Sequence, residues 1–233
     1  MKEKTYKEKD IKKLLSQKPV QDSCNVFQVE NGIEKINRDV LFDIQRFHHV
    51  MFPIGNVDEE QIKWLHEKQE KIELSQLPNG IIYYQEYPIG VMYPKYFKGY
   101  QKFSELYTEE TSLLFKNLKQ SVINNIELLE NGIYNYDFTM SNILYNQEDV
   151  QLIDLDGKYI SKHQSLQRVY SYYIIGMIGQ IVKKIEMQYD EYSRELAYQE
   201  LRNVLSRIPS IPMKIDYPIL LLDEIEQRKI LKR

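Results

Sequence analysis

Cysteine is almost absent from this sequence of 233 residues, because Cys24 is its only one and no disulfide can form within the chain. An excess of basic residues is also missing, since the formal net charge is −3, and this argues against a nucleic acid as partner. The longest apolar stretch, residues 169–182, falls short of the roughly 20 residues that a membrane span needs, and it contains Ser171 and Gln180. No charged and then apolar segment typical of a secretory signal opens the chain. We therefore expect a cytoplasmic protein that has neither a membrane nor a nucleic acid as partner.

Hydrophobic periodicity changes along the chain. The first part contains most of the strand patterns and the second part is mainly helical. Strands followed by helices predict an α+β fold with two lobes. We place the small lobe at residues 1–96 and the mainly helical lobe at residues 97–233. A chain of this length can bury roughly 70% of its unfolded surface, so it needs no disulfide to be stable.

Two hairpins are predicted in the small lobe. Two runs rich in β-branched and aromatic residues flank Asn31-Gly32, and this dipeptide is the strongest short signal of a hairpin. A second pair of runs follows the Pro-Asn-Gly break at residues 78–80, and Pro88 is interpreted as the turn between them.

Apolar residues at helical spacing predict the helices. One such segment stops at Pro53, and the next, residues 57–75, begins with acidic residues that suit the positive end of a helix dipole. A third helix ends at Asn131-Gly132, which is typical of a left-handed cap. From Ser165 onward the pattern is helical, apart from a break marked by prolines at "RIPSIPM". The locally basic start, "MKEKTYKEKDIKK", is interpreted as a solvated or frayed helix start.

One segment, "NYDFTMSNILYNQEDVQLIDLDG" at residues 135–157, carries polar residues with related chemistry. Its order of loop, short strand, turn and short strand predicts a hairpin that brings Asp137 and Asn142 near Asp154. Carboxylate and amide oxygens are ligands for Mg²⁺, and a further carboxylate could accept the proton of an attacking hydroxyl. The alternative is that Asp137 and Asn142 only shape turns, which is the ordinary use of Asp and Asn in loops.

The strings "YDFTMSNIL" and "VQLIDLDG" resemble the catalytic loop and the metal-binding segment of the protein-kinase-like superfamily, which includes protein kinases and the aminoglycoside and choline kinases. The resemblance implies a two-lobed fold with a small antiparallel-sheet lobe and a reduced, mainly helical large lobe. It implies ATP and Mg²⁺ as cofactors. Asp137 would be the catalytic base, and Asn142 with Asp154 would hold Mg²⁺.

The same resemblance extends to the first half of the chain. Lys35 in "GIEKINR" is similar to the strand lysine that pairs with the nucleotide phosphates. The helix predicted at 57–75 would supply its carboxylate partner, for which Glu60 is the first candidate and Glu59 and Glu67 are the others. The segment "GVMYPKYFKG" resembles the strand and hinge where backbone groups meet adenine, and Met92 is therefore the third predicted nucleotide-binding residue.

Several family features are missing. No glycine-rich loop precedes Lys35, although Ser23 and nearby amides could lie over a phosphate. Asn135 and Tyr136 occupy the usual places of a histidine and an arginine, so we expect no control by activation-loop phosphorylation. The metal segment continues to Asp156, which could share the metal, and its pattern is more like that of the antibiotic and choline kinases.

Two functions are compatible with this sequence. The first is a phosphotransferase that uses ATP and Mg²⁺ and acts on a hydroxyl of either a protein Ser/Thr or a small molecule. The second is a pseudokinase, which would bind nucleotide or serve as a scaffold without turnover. The missing glycines favour the second, and the presence of Asp137, Asn142 and Asp154 favours the first.

Overall fold

The computed structural model describes residues 1–17, 26–30, 32–47, 57–95, 97–156, 160–163, 165–207 and 213–232. Several features named above lie outside these described residues: Ser23, Asn31, Pro53, Tyr96, Gly157 and most of the proline-marked break. The chain forms two units, Met1–Lys98 with Asp154–Lys158 and Gly99–Ile153 with Tyr159–Arg233. None of the described helices is both long enough and apolar enough to cross a membrane.

The first unit is built on a five-stranded sheet with the strand order β1-β4-β5-β3-β2. The strands have the following bounds: β1 Lys2–Tyr6, β2 Val26–Val29, β3 Gly32–Ile36, β4 Gly80–Tyr84 and β5 Tyr87–Tyr93. Three helices accompany them: α1 Glu8–Leu15, α2 Arg38–Phe47 and α3 Glu59–Lys68.

Both predicted hairpins are present. Strands β2 and β3 pair antiparallel, and so do β4 and β5. The turn of the second hairpin is not at Pro88, which lies inside β5, but at residues 85–86, where Gln85 has a φ of 56°. The ladder shifts register next to this proline, since Tyr83 pairs with Pro88 but Ile82 pairs with Gly90, and bulges are where a sheet tolerates a residue without an N–H.

The N-terminal segment is a strand before it is a helix, so the interpretation as a helix start is wrong for residues 2–6. Strand β1 pairs parallel with β4, which makes the sheet mixed rather than wholly antiparallel. The carboxylate of Glu34 explains this placement, because it is buried and accepts hydrogen bonds from the Lys4 ammonium and the Tyr6 hydroxyl. These contacts join positions that are far apart in sequence, so local charge patterning could not reveal them.

The helices of the first unit bury their apolar sides on the sheet. Helices α1 and α2 share one core with the sheet face that carries Ile36 and Ile82. Helix α3 starts at its cap Asp58, whose side chain accepts a hydrogen bond from Gln61 N–H. It is shorter than the predicted 57–75, since it ends at Lys68 and is followed by the 3₁₀ helix Gln69–Lys71.

The second unit has short strands and long helices. Its strands are β6 Gln101–Lys102, β7 Tyr134–Asn135, β8 Ile143–Tyr145, β9 Val150–Leu152 and β10 Ile160–Ser161. Its helices are α4 Thr111–Glu130, α5 Leu166–Gln188, α6 Glu191–Leu205 and α7 Tyr217–Gln227.

The helix predicted to end at Asn131-Gly132 is α4, and the prediction is confirmed. Gly132 has a φ of 76°, a left-handed conformation that glycine adopts without strain. The N–H of Ile133 then donates to Leu128 O and closes the cap. The side chain of Asn124 on the same helix donates to Val150 O, which fixes the predicted hairpin of β8 and β9 against α4.

Two glycines allow a matched test of packing. A Cβ on Gly90 would lie 2.4 Å from Lys35 O and 2.9 Å from Ile36 Cα, both rigid backbone atoms. We expect Gly90→Ala to lower the free energy of unfolding by about 1–3 kcal/mol, measured by urea titration. Gly179→Ala in α5 is the control, because nothing lies within 4 Å of its added Cβ, and it should stabilise by about 0.5–1 kcal/mol. Equal stability of Gly90→Ala and the wild type would contradict the packing described.

Candidate functional site

The loop that carries Asp137 is held by backbone and side-chain hydrogen bonds of the second unit. Asn135, at the end of β7, is buried, and its Oδ1 accepts from the N–H of Asp137 at 3.1 Å. The carbonyl of Asp137 in turn accepts from the N–H of Thr139 at 2.9 Å. Asn135 therefore fixes the backbone at Asp137.

Asp137 and Asn142 are in direct contact. The side-chain amide of Asn142 donates to Asp137 Oδ2 at 2.8 Å and to the Asp137 carbonyl at 3.0 Å. The backbone N–H of Asn142 donates to Thr139 O, and its carbonyl accepts from Ile153 N–H. Asn142 therefore ties the loop to the end of β9, directly before Asp154 in the chain.

Aromatic packing anchors the same loop. Phe138 is 1% exposed, and its ring stacks on Tyr173 of α5 with centroids 4.1 Å apart. Its neighbour Tyr136 lies under the guanidinium of Arg168, 4.4 Å from the ring centroid. Since Phe138 points into the core, the loop turns so that Asp137 stays partly exposed.

Lys35 lies on β3 and has two carboxylates beside it. Its ammonium is 3.0 Å from Asp156 Oδ1 and 3.4 Å from Asp154 Oδ1. The hydroxyl of Tyr93 donates to the same Asp156 oxygen at 2.7 Å. In the register of the sheet, Lys35 pairs with Val91 and Ile33 pairs with Tyr93, so Lys35 and Tyr93 project from the same face.

The electrostatics of this group follow from burial and charge. Burial alone would lower the pKa of Lys35, but the carboxylates of Asp156 and Asp154 outweigh it, and the pKa of Lys35 is raised. Burial also raises the pKa of the Tyr93 hydroxyl, and the neighbouring aspartates add to this effect. Lys35 is therefore a protonated cation and Tyr93 a neutral donor at physiological pH.

Asp154 has an unusual backbone. Its φ is 61°, in the left-handed region that non-glycine residues rarely adopt, although aspartate does so more readily than most. Its side chain is 44% exposed, against 11% for Asp156. Such backbone conformations are kept where the surroundings fix them, and they often occur at functional sites.

The predicted ion pair between Lys35 and Glu60 is not present among the described residues. Glu60 is exposed in the first turn of α3, while Lys35 contacts Asp154 and Asp156. Helix α3 packs against β4, and β5 lies between β4 and the strand that carries Lys35. The two aspartates thus replace the expected glutamate. A role of Glu60 toward nucleotide stays a prediction.

Met92 points away from Lys35. It pairs with Glu34, so its side chain projects from the opposite face of the sheet, next to Gly80. Its carbonyl accepts from the N–H of Asn79. The predicted contact of this segment with adenine stays a prediction, and it would involve backbone rather than the Met92 side chain.

The residues predicted to surround the metal carry suitable oxygen atoms. Asp137 and Asn142 belong to the second unit and Asp154 to the first, and their convergence on one ion stays a prediction. Within the described residues there is no cluster of three or more His, Cys, Asp or Glu that could hold a metal. Mg²⁺ does not require one, because it is usually held by one or two carboxylates together with substrate phosphates. The exposed carboxylate of Asp154 fits that mode.

Sequence reasoning missed Tyr93. It is the last residue of β5, and no motif distinguishes it from the many other tyrosines. Only its cross-strand position beside Lys35 reveals it. Asp156 was identified as a second acidic residue of the metal segment, but its contact with Lys35 was not expected.

Comparison with known proteins supports the fold. No known family model matches this chain, and no curated protein matches it either. A solved structure of a divergent kinase, described as lacking the glycine-rich loop and as regulating membrane ultrastructure of the Toxoplasma parasitophorous vacuole, matches with a TM-score of 0.52. The two chains are 11% identical, and the match covers 96% of this chain and 90% of that one. The likeness shows the fold alone: the chain has a kinase-like α+β fold with a small sheet part and a helical part, and the predicted fold class is confirmed.

Proposed function

We propose that this protein is a kinase-like phosphotransferase that uses ATP and Mg²⁺ and transfers the γ-phosphate to a hydroxyl of a protein Ser/Thr or a small molecule. The contact of 3.4 Å between Lys35 and Asp154 is the observation that carries the proposal. The sequence resemblance assigned these two residues to one nucleotide site from separate motifs. Their proximity is therefore an independent result, because nothing in the local sequence around either residue requires it.

Each residue has a distinct proposed role. Lys35, a cation on a rigid strand, binds the α and β phosphates, and Asp154 with Asn142 provides oxygen atoms for the metal. Mg²⁺ held by these oxygen atoms would supply positive charge that offsets the negative charge of the phosphates. Asp137 orients the attacking hydroxyl and accepts its proton as the oxygen bonds to phosphorus and the ADP oxygen leaves. The hydrogen bond from Asn142 holds the Asp137 carboxylate ready for this step.

The second candidate is a nucleotide-binding module without turnover. Two observations favour it, and both concern the glycine-rich loop. The matching kinase is itself described as divergent and without a glycine-rich loop. This chain also has no glycine-rich sequence before Lys35. A cytoplasmic location, expected from the sequence, is part of both proposals.

Thermal unfolding with and without nucleotide tests nucleotide binding, which both candidate functions require. A ligand at 100 times its Kd stabilises the folded state by about 2.7 kcal/mol, and for a chain of this size this raises Tm by roughly 5–10 °C. We expect this shift with ATP and Mg²⁺ together and a smaller one with ATP alone. Lys35→Met should reduce the shift, while Lys63→Met, an exposed lysine on α3, should keep it. No shift in the wild type at millimolar ATP and Mg²⁺ would contradict nucleotide binding.

A further inference from the structure

Asp156 has the geometry of a fixed counter-ion. One of its oxygens, Oδ1, accepts both from the Lys35 ammonium at 3.0 Å and from the Tyr93 hydroxyl at 2.7 Å. Its side chain is 11% exposed. A mostly buried carboxylate with two donors has little freedom to rotate, because losing either bond would leave a desolvated polar atom unpaired.

Asp154 differs from Asp156 in its distance from Lys35 and in its exposure. Its contact with Lys35 is longer, at 3.4 Å, and its side chain is 44% exposed. Because the Asp154 carboxylate is exposed, water or another ligand can reach it at this distance from Lys35. The two aspartates therefore differ in their access to solvent, because Asp156 is mostly buried and Asp154 is exposed.

The sheet supplies the rigidity that positioning requires. Lys35 is on β3 and Tyr93 on the neighbouring β5, and both project from one face at positions fixed by the backbone ladder. Tyr93 is 7% exposed, so its ring is packed and its hydroxyl has a defined position. Tyr93 thus orients Asp156, and Asp156 in turn orients Lys35.

We propose that Asp156, oriented by Tyr93, is the positioning residue of Lys35 in place of a helix glutamate, and that it leaves Asp154 accessible to the metal ion. The inference rests on the proposed function for the role of Lys35 toward phosphates. The anchoring itself does not depend on nucleotide.

Acylation of lysine by an amine-reactive reagent, read by mass spectrometry at pH 8–9, tests the anchor without nucleotide. Lys35 in the wild type should react slowly relative to the exposed Lys63, because its side chain is only 26% exposed and its ammonium is held between two carboxylates. Asp156→Asn should speed labelling of Lys35 severalfold, and Asp154→Asn should speed it less. Labelling of the buried Lys184 separates this result from general unfolding, because unfolding would speed it as well and a local change at Lys35 would not. An equal or larger effect of Asp154→Asn would overturn the proposal.

Tyr93→Phe provides a milder variant that keeps both carboxylates. It should weaken Mg²⁺-ATP binding severalfold with the metal dependence unchanged, because Lys35 is less well placed while Asp154 is intact. Asp156→Glu should restore part of the affinity that Asp156→Asn loses. If Tyr93→Phe and Asp156→Asn both bound Mg²⁺-ATP with wild-type affinity, the proposed positioning of Lys35 by Asp156 and Tyr93 would be wrong. Absence of ATP binding by the wild type would instead contradict the proposed function and leave the labelling result valid.

Discussion

Asp137→Asn should leave the affinity for Mg²⁺-ATP nearly unchanged and lower turnover by about 10²-fold or more. Asparagine has almost the same shape as aspartate, and its oxygen can still accept the hydrogen bond from the Asn142 amide. It cannot accept a proton from the attacking hydroxyl, and loss of a positioned base typically costs this much. The effect should therefore fall on the chemical step rather than on nucleotide binding.

The measurement for Asp137 needs two readouts and a control. Calorimetric titration with Mg²⁺-ATP gives affinity, and phosphate release or autophosphorylation serves as a surrogate for turnover until an acceptor is found. Glu148→Gln makes the same change of charge at an exposed site in the turn between β8 and β9, and it should change neither readout. A wild type that binds Mg²⁺-ATP without any turnover sensitive to Asp137→Asn, across protein and small-molecule acceptors, would favour the nucleotide-binding module.

Asp154→Ala should have two effects at once: it should weaken Mg²⁺-ATP binding by about tenfold or more, and it should abolish phosphate transfer. A residue that contacts the metal does so in the ground state and in the transition state, so its loss reduces both binding and rate. A tenfold loss of affinity corresponds to about 1.4 kcal/mol. The fold should persist, because the side chain is 44% exposed and Lys35 keeps its shorter contact with Asp156.

Metal dependence is the specific readout for Asp154. Affinity for ATP should depend on Mg²⁺ concentration in the wild type and lose most of that dependence in Asp154→Ala. Glu86→Ala, which removes an exposed carboxylate in the turn between β4 and β5, is the matched control and should behave as the wild type. If Asp154→Ala retained full metal dependence, the assignment of Asp154 to the metal would be wrong.

Elements with a strong local signal were predictable from the sequence. The hairpin at Gly32, the helix ending at Gly132 and the hairpin of β8 and β9 each have turn residues and periodic apolar residues that agree with one another. The contact between Asp137 and Asn142 also follows from local sequence, because the two residues are only five positions apart in a tight loop. The pairing of Lys35 with a carboxylate was expected from the family resemblance, although its partner was not.

Features that depend on distant parts of the chain could not be predicted in this way. Strand β1 is charged, and its sequence alone predicts a solvated segment. In the structure β1 lies in the sheet, where Lys4 and Tyr6 donate hydrogen bonds to the buried carboxylate of Glu34. Likewise, Asp156 contacts Lys35 and Tyr93, which precede it by 121 and 63 positions. In both cases a specific tertiary contact outweighs local propensity.

The first unit is discontinuous in sequence, and this has a consequence for synthesis on the ribosome. Asp156 follows Lys35 by 121 positions, with most of the first unit and part of the second between them. At bacterial or eukaryotic translation speeds, the interval is on the order of 10 s. During that time the nascent sheet carries a cation without its counter-ions. Folding of the first unit should therefore be completed only after residue 158 has left the exit tunnel, and a chain stalled before that point should remain sensitive to proteases.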